Sequence, residues 1–240
     1  MASSLFRFKR FELRQEGVVH PAGTDSVLLG AWTPVSRCSN VLDVGTGTGI
    51  VALMLAQRTE ATEGVRITGI ELDPQTAVCA ADNFARSPWR DRLELWEGAV
   101  QDYAARSGGE FDLIVSNPPF FSETVVSPDP RRRIGRNTNT LSAEALLDAS
   151  RALLAPEGRF CVILPPQEAR RLCELSVQKG LYCTRETQVY ARPGKPVERM
   201  LLRFERRPHH FERDELMIYA AGEQYAPGFQ ALTRDFYLFL

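Results

Sequence analysis

The sequence predicts an α/β fold: a mostly parallel, seven-stranded sheet with helices on both faces and an antiparallel hairpin near its carboxyl end. Three observations lead there. Apolar runs of strand length alternate with longer amphipathic stretches from residue 40 to residue 179, the pattern of successive strand-helix-strand units. A glycine-rich turn, Gly45-Thr46-Gly47-Thr48-Gly49, joins the first of those runs to the first amphipathic stretch. The apolar run Phe111–Val115 ends at Asn117-Pro118-Pro119-Phe120, where two prolines without backbone donors forbid further sheet.

In chain order, residues 5–14 carry Phe6, Phe8, Phe11 and Leu13 at the spacing of an edge hairpin. Pro21–Asp25 is a turn, and Thr24 or Asp25 is placed to cap a helix running to Trp32. Asn40–Val44 reads as a strand and Ile50–Arg58 as a helix. Arg66–Glu71 is the next strand, and Pro74–Arg86 a helix with proline in its first turn. Leu93–Trp96 and Phe111–Val115 are strands; a long loop over 120–141 follows. Ser142–Leu154 reads as a helix, Arg159–Leu164 as a strand, and Pro166–Lys179 as a helix closed by Gly180. Leu181–Tyr190 and Val197–Arg206 are β-like, and the link Ala191–Pro196 has no room for a crossover helix, so this pair is antiparallel. The apolar end, Phe236-Tyr237-Leu238-Phe239-Leu240, is expected to dock on the fold. Residues 1–240 are read as a single domain: an N-terminal hairpin and helix (1–33), a core (34–206) and a docked extension (207–240).

Composition narrows the classes. The chain of 240 residues is 44% hydrophobic and 25% charged, as in soluble domains, and no stretch approaches a membrane span of ~20 apolar residues. Met1–Arg10 lacks the apolar core of a signal peptide. The five cysteines form no CxxC, and the three histidines form no HExxH. No metal pattern is present, and a reducing cytoplasm is the expected setting. A net charge of −1 means that any nucleic-acid partner must be met by local positive charge.

The glycines permit positive φ and close approach of a ligand to the backbone. Their spacing is GxGxG, not the GxGxxG of dinucleotide folds. Asp43, just before them, would repel a pyrophosphate and attract a cationic ligand end. Glu71 ends the next strand, where a carboxylate can accept hydrogen bonds from ribose hydroxyls. Asn117 offers an amide oxygen and Phe120 a flat apolar ring, a pairing suited to an exocyclic amine on a planar heterocycle.

Asp43–Gly49, Glu71 and Asn117–Phe120 together resemble the class I S-adenosylmethionine-dependent methyltransferases that modify amino groups. The resemblance implies a Rossmann-like fold, with Gly45, Gly47 and Gly49 under the methionine and ribose of S-adenosyl-L-methionine and Glu71 on the ribose. Asn117 Oδ1 and the Pro118 carbonyl would grip the target amine, and Phe120 would stack on the base. Such families often end the third core strand with an acid that reads the cofactor's adenine. The matching position here is Ala99, so Asp102 or backbone near Ala99 and Val100 must take that part. Thr24 and Asp25 either line the methionine end of the pocket or only cap their helix.

Further stretches, among them Leu28–Trp32, Ala52–Arg58, Ser87-Pro88-Trp89 and the tail from Ala231, are similar to the bacterial tRNA adenine-N6 methyltransferases that act on valine tRNA. That family implies a catalytic domain that meets the anticodon arm without a separate RNA module. Independently of the family, a monomer or weak dimer is expected. Arg131, Arg132, Arg133 and Arg136, in the loop after the amine motif, and Arg192, Lys195 and Arg199, around the tail hairpin, are the candidate phosphate contacts; Phe121 is a candidate stacking residue. Their alternative is solvated surface charge.

Rival readings are weaker. A protein-glutamine methyltransferase usually carries an N-terminal docking domain, and the ribosomal guanine-N2 enzymes often have His where Phe121 stands. A DNA enzyme lacks room for a recognition domain, and a nicotinamide dehydrogenase is at odds with Asp43 and the Pro-Pro turn. An RNA-binding module with a silent pocket would bind RNA without transferring a methyl group.

Overall fold

The computed structural model describes residues 5–18, 21–106, 110–119 and 141–239. Two short strands, β1 (Leu5–Arg7) and β2 (Glu12–Arg14), precede helix α1 (Thr24–Trp32). The core follows: β3 (Asn40–Val44), α2 (Ile50–Arg58), β4 (Arg66–Glu71), α3 (Pro74–Arg86), β5 (Leu93–Glu97), α4 (Val100–Arg106) and β6 (Phe111–Ser116). After residue 141 come α5 (Ala143–Leu153), β7 (Leu154–Leu164), α6 (Pro166–Gln178), β8 (Tyr182–Tyr190) and β9 (Val197–Glu205). The tail holds β10 (Glu212–Met217), β11 (Tyr219–Ala221), β12 (Gln224–Tyr225) and α7 (Pro227–Thr233).

Local chemistry accounts for the helix ends. Asp73 accepts the Thr76 N–H at 2.8 Å ahead of Pro74, and Ser142 accepts the Ala145 N–H at 3.1 Å, side-chain caps for α3 and α5. α6 closes as expected: Gly180 has φ 68°, its N–H reaches the Val177 carbonyl, and that of Leu181 reaches Ser176.

The central sheet has the order β10-β8-β9-β7-β6-β3-β4-β5. Of its described strands only β9 runs against the rest, pairing antiparallel with both β7 and β8. The seven expected strands are present, and an eighth, β10, extends the edge parallel to β8, from Glu212↔Arg185 to Met217↔Tyr190. Its sequence hid it, because Glu212-Arg213-Asp214-Glu215 has no apolar alternation. It is held instead by backbone pairing and by ion pairs such as Arg185–Asp214 at 2.7 Å, the charged character common in edge strands.

Two apolar layers sandwich the sheet. One packs α1, α2 and α3 with Phe229 and Phe236 of the tail; the other packs α4, α5 and α6. α4 was not anticipated. The N-terminal hairpin is also not an edge of the central sheet: β1 and β2 pair only with each other. Phe8 stacks on Phe11 with ring centroids 4.5 Å apart, and the Lys9 N–H reaches the Phe236 carbonyl at 2.8 Å. The N-terminal hairpin and the tail thus close on one another among the described residues, with Phe236 2% and Tyr237 8% exposed. No helix among the described residues is long and apolar enough to cross a membrane.

Candidate active site

Parallel strands deliver their carboxyl ends to one edge, and there the two sequence motifs meet. Val44 and Ser116 are register partners on β3 and β6, so the turns that follow them, 45–49 and 117–119, leave the sheet side by side. Open α/β sheets bind ligands at this edge.

Gly45, Gly47 and Gly49 have φ of 69°, 58° and 83°, a region costly for other residues. A Cβ built on Gly45 or Gly47 would meet nothing within 4 Å, whereas one on Gly49 would lie 2.5 Å from the Phe84 ring. The first two therefore border open space, and the third packs the turn against α3. The arrangement fits a ligand laid across the first two glycines.

Asp43 does not face that space. It is 1% exposed, and its Oδ2 accepts the Thr46 hydroxyl at 2.6 Å and the Ala52 N–H at 3.2 Å. It therefore braces the turn and the first turn of α2 from beneath, and only its field extends to a cationic ligand. Burial, aided by the charge of Glu71 and opposed by its hydrogen bonds, pushes its carboxyl up to about 7.

Glu71 lies beside the turn. Its Oε2 accepts the Gly47 N–H and its Oε1 the Asp73 N–H, each at 2.9 Å. Burial holds its carboxyl above the usual range despite those bonds. The Leu72 N–H also bonds to it, and a carboxylate's roughly four acceptor sites leave room for a ribose hydroxyl.

Asn117 is half-buried and Pro118 buried. The Asn117 Nδ2 donates to the Ser26 hydroxyl on α1 at 2.9 Å, and no described residue donates to its Oδ1. Phe120, Phe121, Arg131, Arg132, Arg133 and Arg136 lie outside the described residues.

The remaining candidates are more dispersed. Ala99 is half-buried at the head of α4, its carbonyl accepting the Asp102 and Tyr103 N–H groups at 3.1 Å, while Asp102 is exposed. Thr24 is exposed, and Gly23 is the N-cap of α1, so neither Thr24 nor Asp25 caps it. Asp25 instead accepts Arg199 Nε at 2.7 Å, tying α1 to β9. Arg192 and Lys195 sit exposed in the β8–β9 turn. Because β8 runs parallel to β7, that turn shares the ligand-binding edge. The Arg192 guanidinium donates to the Gly222 carbonyl and lies 5.0 Å from the centroid of the Tyr219 ring.

Two residues escaped the sequence reading. One is Ser26, the partner of Asn117. The other is Asn83, 1% exposed on α3. It donates to the Thr48 and Arg14 carbonyls at 2.9 Å each and accepts the Arg14 N–H at 2.9 Å, joining the glycine turn to β2. A polar residue on the apolar face of α3 was the only signal for it; nothing in the sequence marked Ser26.

Comparison with known proteins follows the same line. Residues 22–177 match the methyltransferase small domain family. The chain is 40% identical to the tRNA1(Val) (adenine(37)-N6)-methyltransferase of Yersinia enterocolitica, over 97% of this chain and 92% of that one. It is 39% identical to the protein of the same name from Haemophilus influenzae, over 98% and 99%. Among solved structures, it resembles a protein of Agrobacterium tumefaciens described as a predicted O-methyltransferase, with TM-score 0.65 and 20% identity over 88% of this chain and 96% of that one. The glycopeptide N-methyltransferase MtfA, complexed with S-adenosyl-L-methionine, gives TM-score 0.52 and 17% identity over 77% and 99%. Those two likenesses are of fold. The sequence relatives go further: this chain belongs to the family of the tRNA1(Val) (adenine(37)-N6)-methyltransferases, built on a methyltransferase small domain.

Proposed function

We propose that this protein transfers a methyl group from S-adenosyl-L-methionine to the exocyclic N6 of adenosine in tRNA, at adenosine 37 of valine tRNA, in the cytoplasm. The observation that carries the reading is the Val44–Ser116 pairing, which sets an open glycine cradle next to an asparagine whose Oδ1 takes no hydrogen bond from the described residues. The family's printed substrate supports the choice of base and RNA.

The bound cofactor supplies an activated sulfonium methyl group. The protein's own part is alignment and charge stabilisation. Gly45 and Gly47 line the cofactor's path, and Glu71 accepts a ribose hydroxyl. The adenine amine is a weak nucleophile because its lone pair is delocalised into the ring. As that pair is localised by attack, positive charge grows on nitrogen, and Asn117 Oδ1 and the Pro118 carbonyl accept its two N–H groups. Phe120 fixes the plane of the base, a stacking worth ~1–3 kcal/mol. No strong base is required, since the amine becomes acidic once methylated. The adenine of the cofactor is read by backbone near Ala99 and Val100 rather than by an acid at that position. Thr24, at the exposed start of α1, lines the methionine end.

RNA is met by the catalytic unit itself, with residues 1–33, 34–206 and 207–240 acting together. Arg192 and Lys195 in the β8–β9 turn, with Arg131, Arg132, Arg133 and Arg136, contact phosphates of the anticodon arm, and Phe121 stacks on a flanking base. The deciding experiment incubates the protein with labelled S-adenosyl-L-methionine and total tRNA lacking the modification, then maps the product nucleoside by mass spectrometry. N6-methyladenosine next to the valine anticodon is expected; label on guanosine, on protein, or nowhere overturns the reading.

A further inference from the structure

An asparagine amide has two unlike ends of nearly the same shape: an oxygen that accepts and a nitrogen that donates. Only the oxygen can receive an amine N–H. Turned the other way, Asn117 would set donor against donor, and packing alone does not separate the two orientations. A bound amine favours one of them, and a partner for the nitrogen holds it there.

That partner is Ser26. Its hydroxyl oxygen lies 2.9 Å from Asn117 Nδ2, and Ser26 is only 7% exposed, so water does not readily replace it. α1 is itself clamped at both ends. Asp25, in its first turn, is ion-paired with Arg199 of β9 at 2.7 Å, and the Trp32 indole donates to the Thr187 hydroxyl of β8 at 2.8 Å. The serine is thereby carried by a helix fixed to the same sheet that carries the asparagine.

We propose that Ser26 is the positioning residue of the reaction: by accepting the Asn117 side-chain N–H, it holds the amide in the orientation in which Oδ1 faces the target amine. The assignment rests on the methyl-transfer reading above. It predicts that without the hydroxyl the productive orientation leaves a half-buried N–H unpaired, so the amide spends less time in it. The hydroxyl could serve the flipped amide by turning its own proton; the target amine, needing an acceptor, selects the orientation that needs Ser26 as acceptor.

The test uses the full-length protein, tRNA lacking the modification, and two anticodon-arm RNAs differing only in carrying adenine or purine at the target position. Purine lacks the 6-amino group. Wild type is assayed first: if it places no methyl on tRNA adenosine, the functional reading itself fails. Given wild-type transfer, Ser26→Ala is expected to lower the single-turnover rate roughly tenfold, about 1.4 kcal/mol in barrier. The dissociation constant for S-adenosyl-L-methionine should stay within about twofold of wild type. The ratio of dissociation constants for purine RNA over adenine RNA, read by binding alone because purine has no amine to methylate, should fall towards one, and Ser26→Thr, which keeps a hydroxyl, should recover most of the rate. A wild-type rate for Ser26→Ala would overturn the proposal. So would a loss that tracks cofactor affinity and melting temperature while the adenine preference stays intact, the outcome of a merely structural serine.

Discussion

The Ser116 hydroxyl donates to the Val44 carbonyl at 2.8 Å. Both residues are the last of their strands, so the bond pins the end of β6 to the end of β3, where the ladder stops. The glycine turn and the amine motif consequently keep a constant separation. A 1 Å misplacement of reacting groups costs methyl transfer far more than it costs stability.

Asn117→Ala should remove transfer while leaving the fold and cofactor binding in place. Loss of one preorganised partner for developing charge typically lowers a rate by roughly 10²–10³-fold. The check is a methyl-incorporation assay beside a cofactor titration and a melting curve on the same preparation. Near-wild-type turnover would refute the assignment of Asn117 to the amine.

Gly47→Ala should weaken cofactor binding more than it weakens the fold. At φ 58° an alanine costs about 1–2 kcal/mol, or roughly 2–8 °C in melting temperature for a chain of this size. Its methyl would project into the open space beside the turn, where nothing else lies within 4 Å. Calorimetric titration with S-adenosyl-L-methionine should show at least a tenfold rise in Kd. Unchanged affinity would mean that the cofactor does not lie there.

Asp43 should couple cofactor binding to a proton. Its carboxyl is pushed up to about 7 by burial. In the free protein, the native state therefore holds a proton that the unfolded chain has lost between the ordinary aspartate range and about pH 7. Across that window this group's contribution to stability falls as pH rises. A ligand with net positive charge lowers the same pKa, so binding expels the proton. Affinity for S-adenosyl-L-methionine should rise from about pH 6 to about pH 8, with proton release visible as a buffer-dependent binding enthalpy. Asp43→Asn should flatten both; a flat wild-type profile would count against the coupling.

Phe236→Ala should destabilise the fold by ~3–5 kcal/mol, lowering the melting temperature by roughly 6–20 °C. The ring is 2% exposed, and its carbonyl holds the N-terminal hairpin through Lys9. The loss should unfasten the hairpin and the tail together, seen as faster hydrogen exchange in both. A melting temperature within a degree or two of wild type would show the extension to be decorative.

Charge reversal at Arg192 and Lys195 should weaken tRNA binding and flatten its dependence on salt by about one unit of slope for each phosphate no longer neutralised, with cofactor affinity unchanged. Fluorescence titrations at several salt concentrations decide it. An unaltered slope would take the β8–β9 turn off the RNA surface.

Much of the fold was legible because buried parallel strands are apolar throughout and bounded by turns, as in Val41–Val44 and Phe111–Val115. β10 was not: an edge strand needs no apolar face, and Glu212–Glu215 joins the sheet through its backbone and its ion pairs. α4, with only Val100 fully buried, left too little periodicity to read. The glycine turn, Glu71 and Asn117 could be proposed in advance as candidates because their chemistry is local to a motif, and the structure brings them to one sheet edge. The role of Asp43 could not, since whether a carboxylate faces a ligand or lies beneath a turn depends on the helix packed over it.

The chain alone determined which groups are present and in what order: a strand that must stop at two prolines, glycines that admit positive φ, an acid closing the next strand. Those follow from backbone sterics and hydrogen-bonding capacity, which act within a few residues. Only the tertiary structure decided that Val44 and Ser116 would be neighbours, that Asn117 would meet Ser26 across 91 positions, and that Lys9 would close on Phe236. Such contacts are set by sheet order and by which apolar faces bury one another, and no local pattern encodes them.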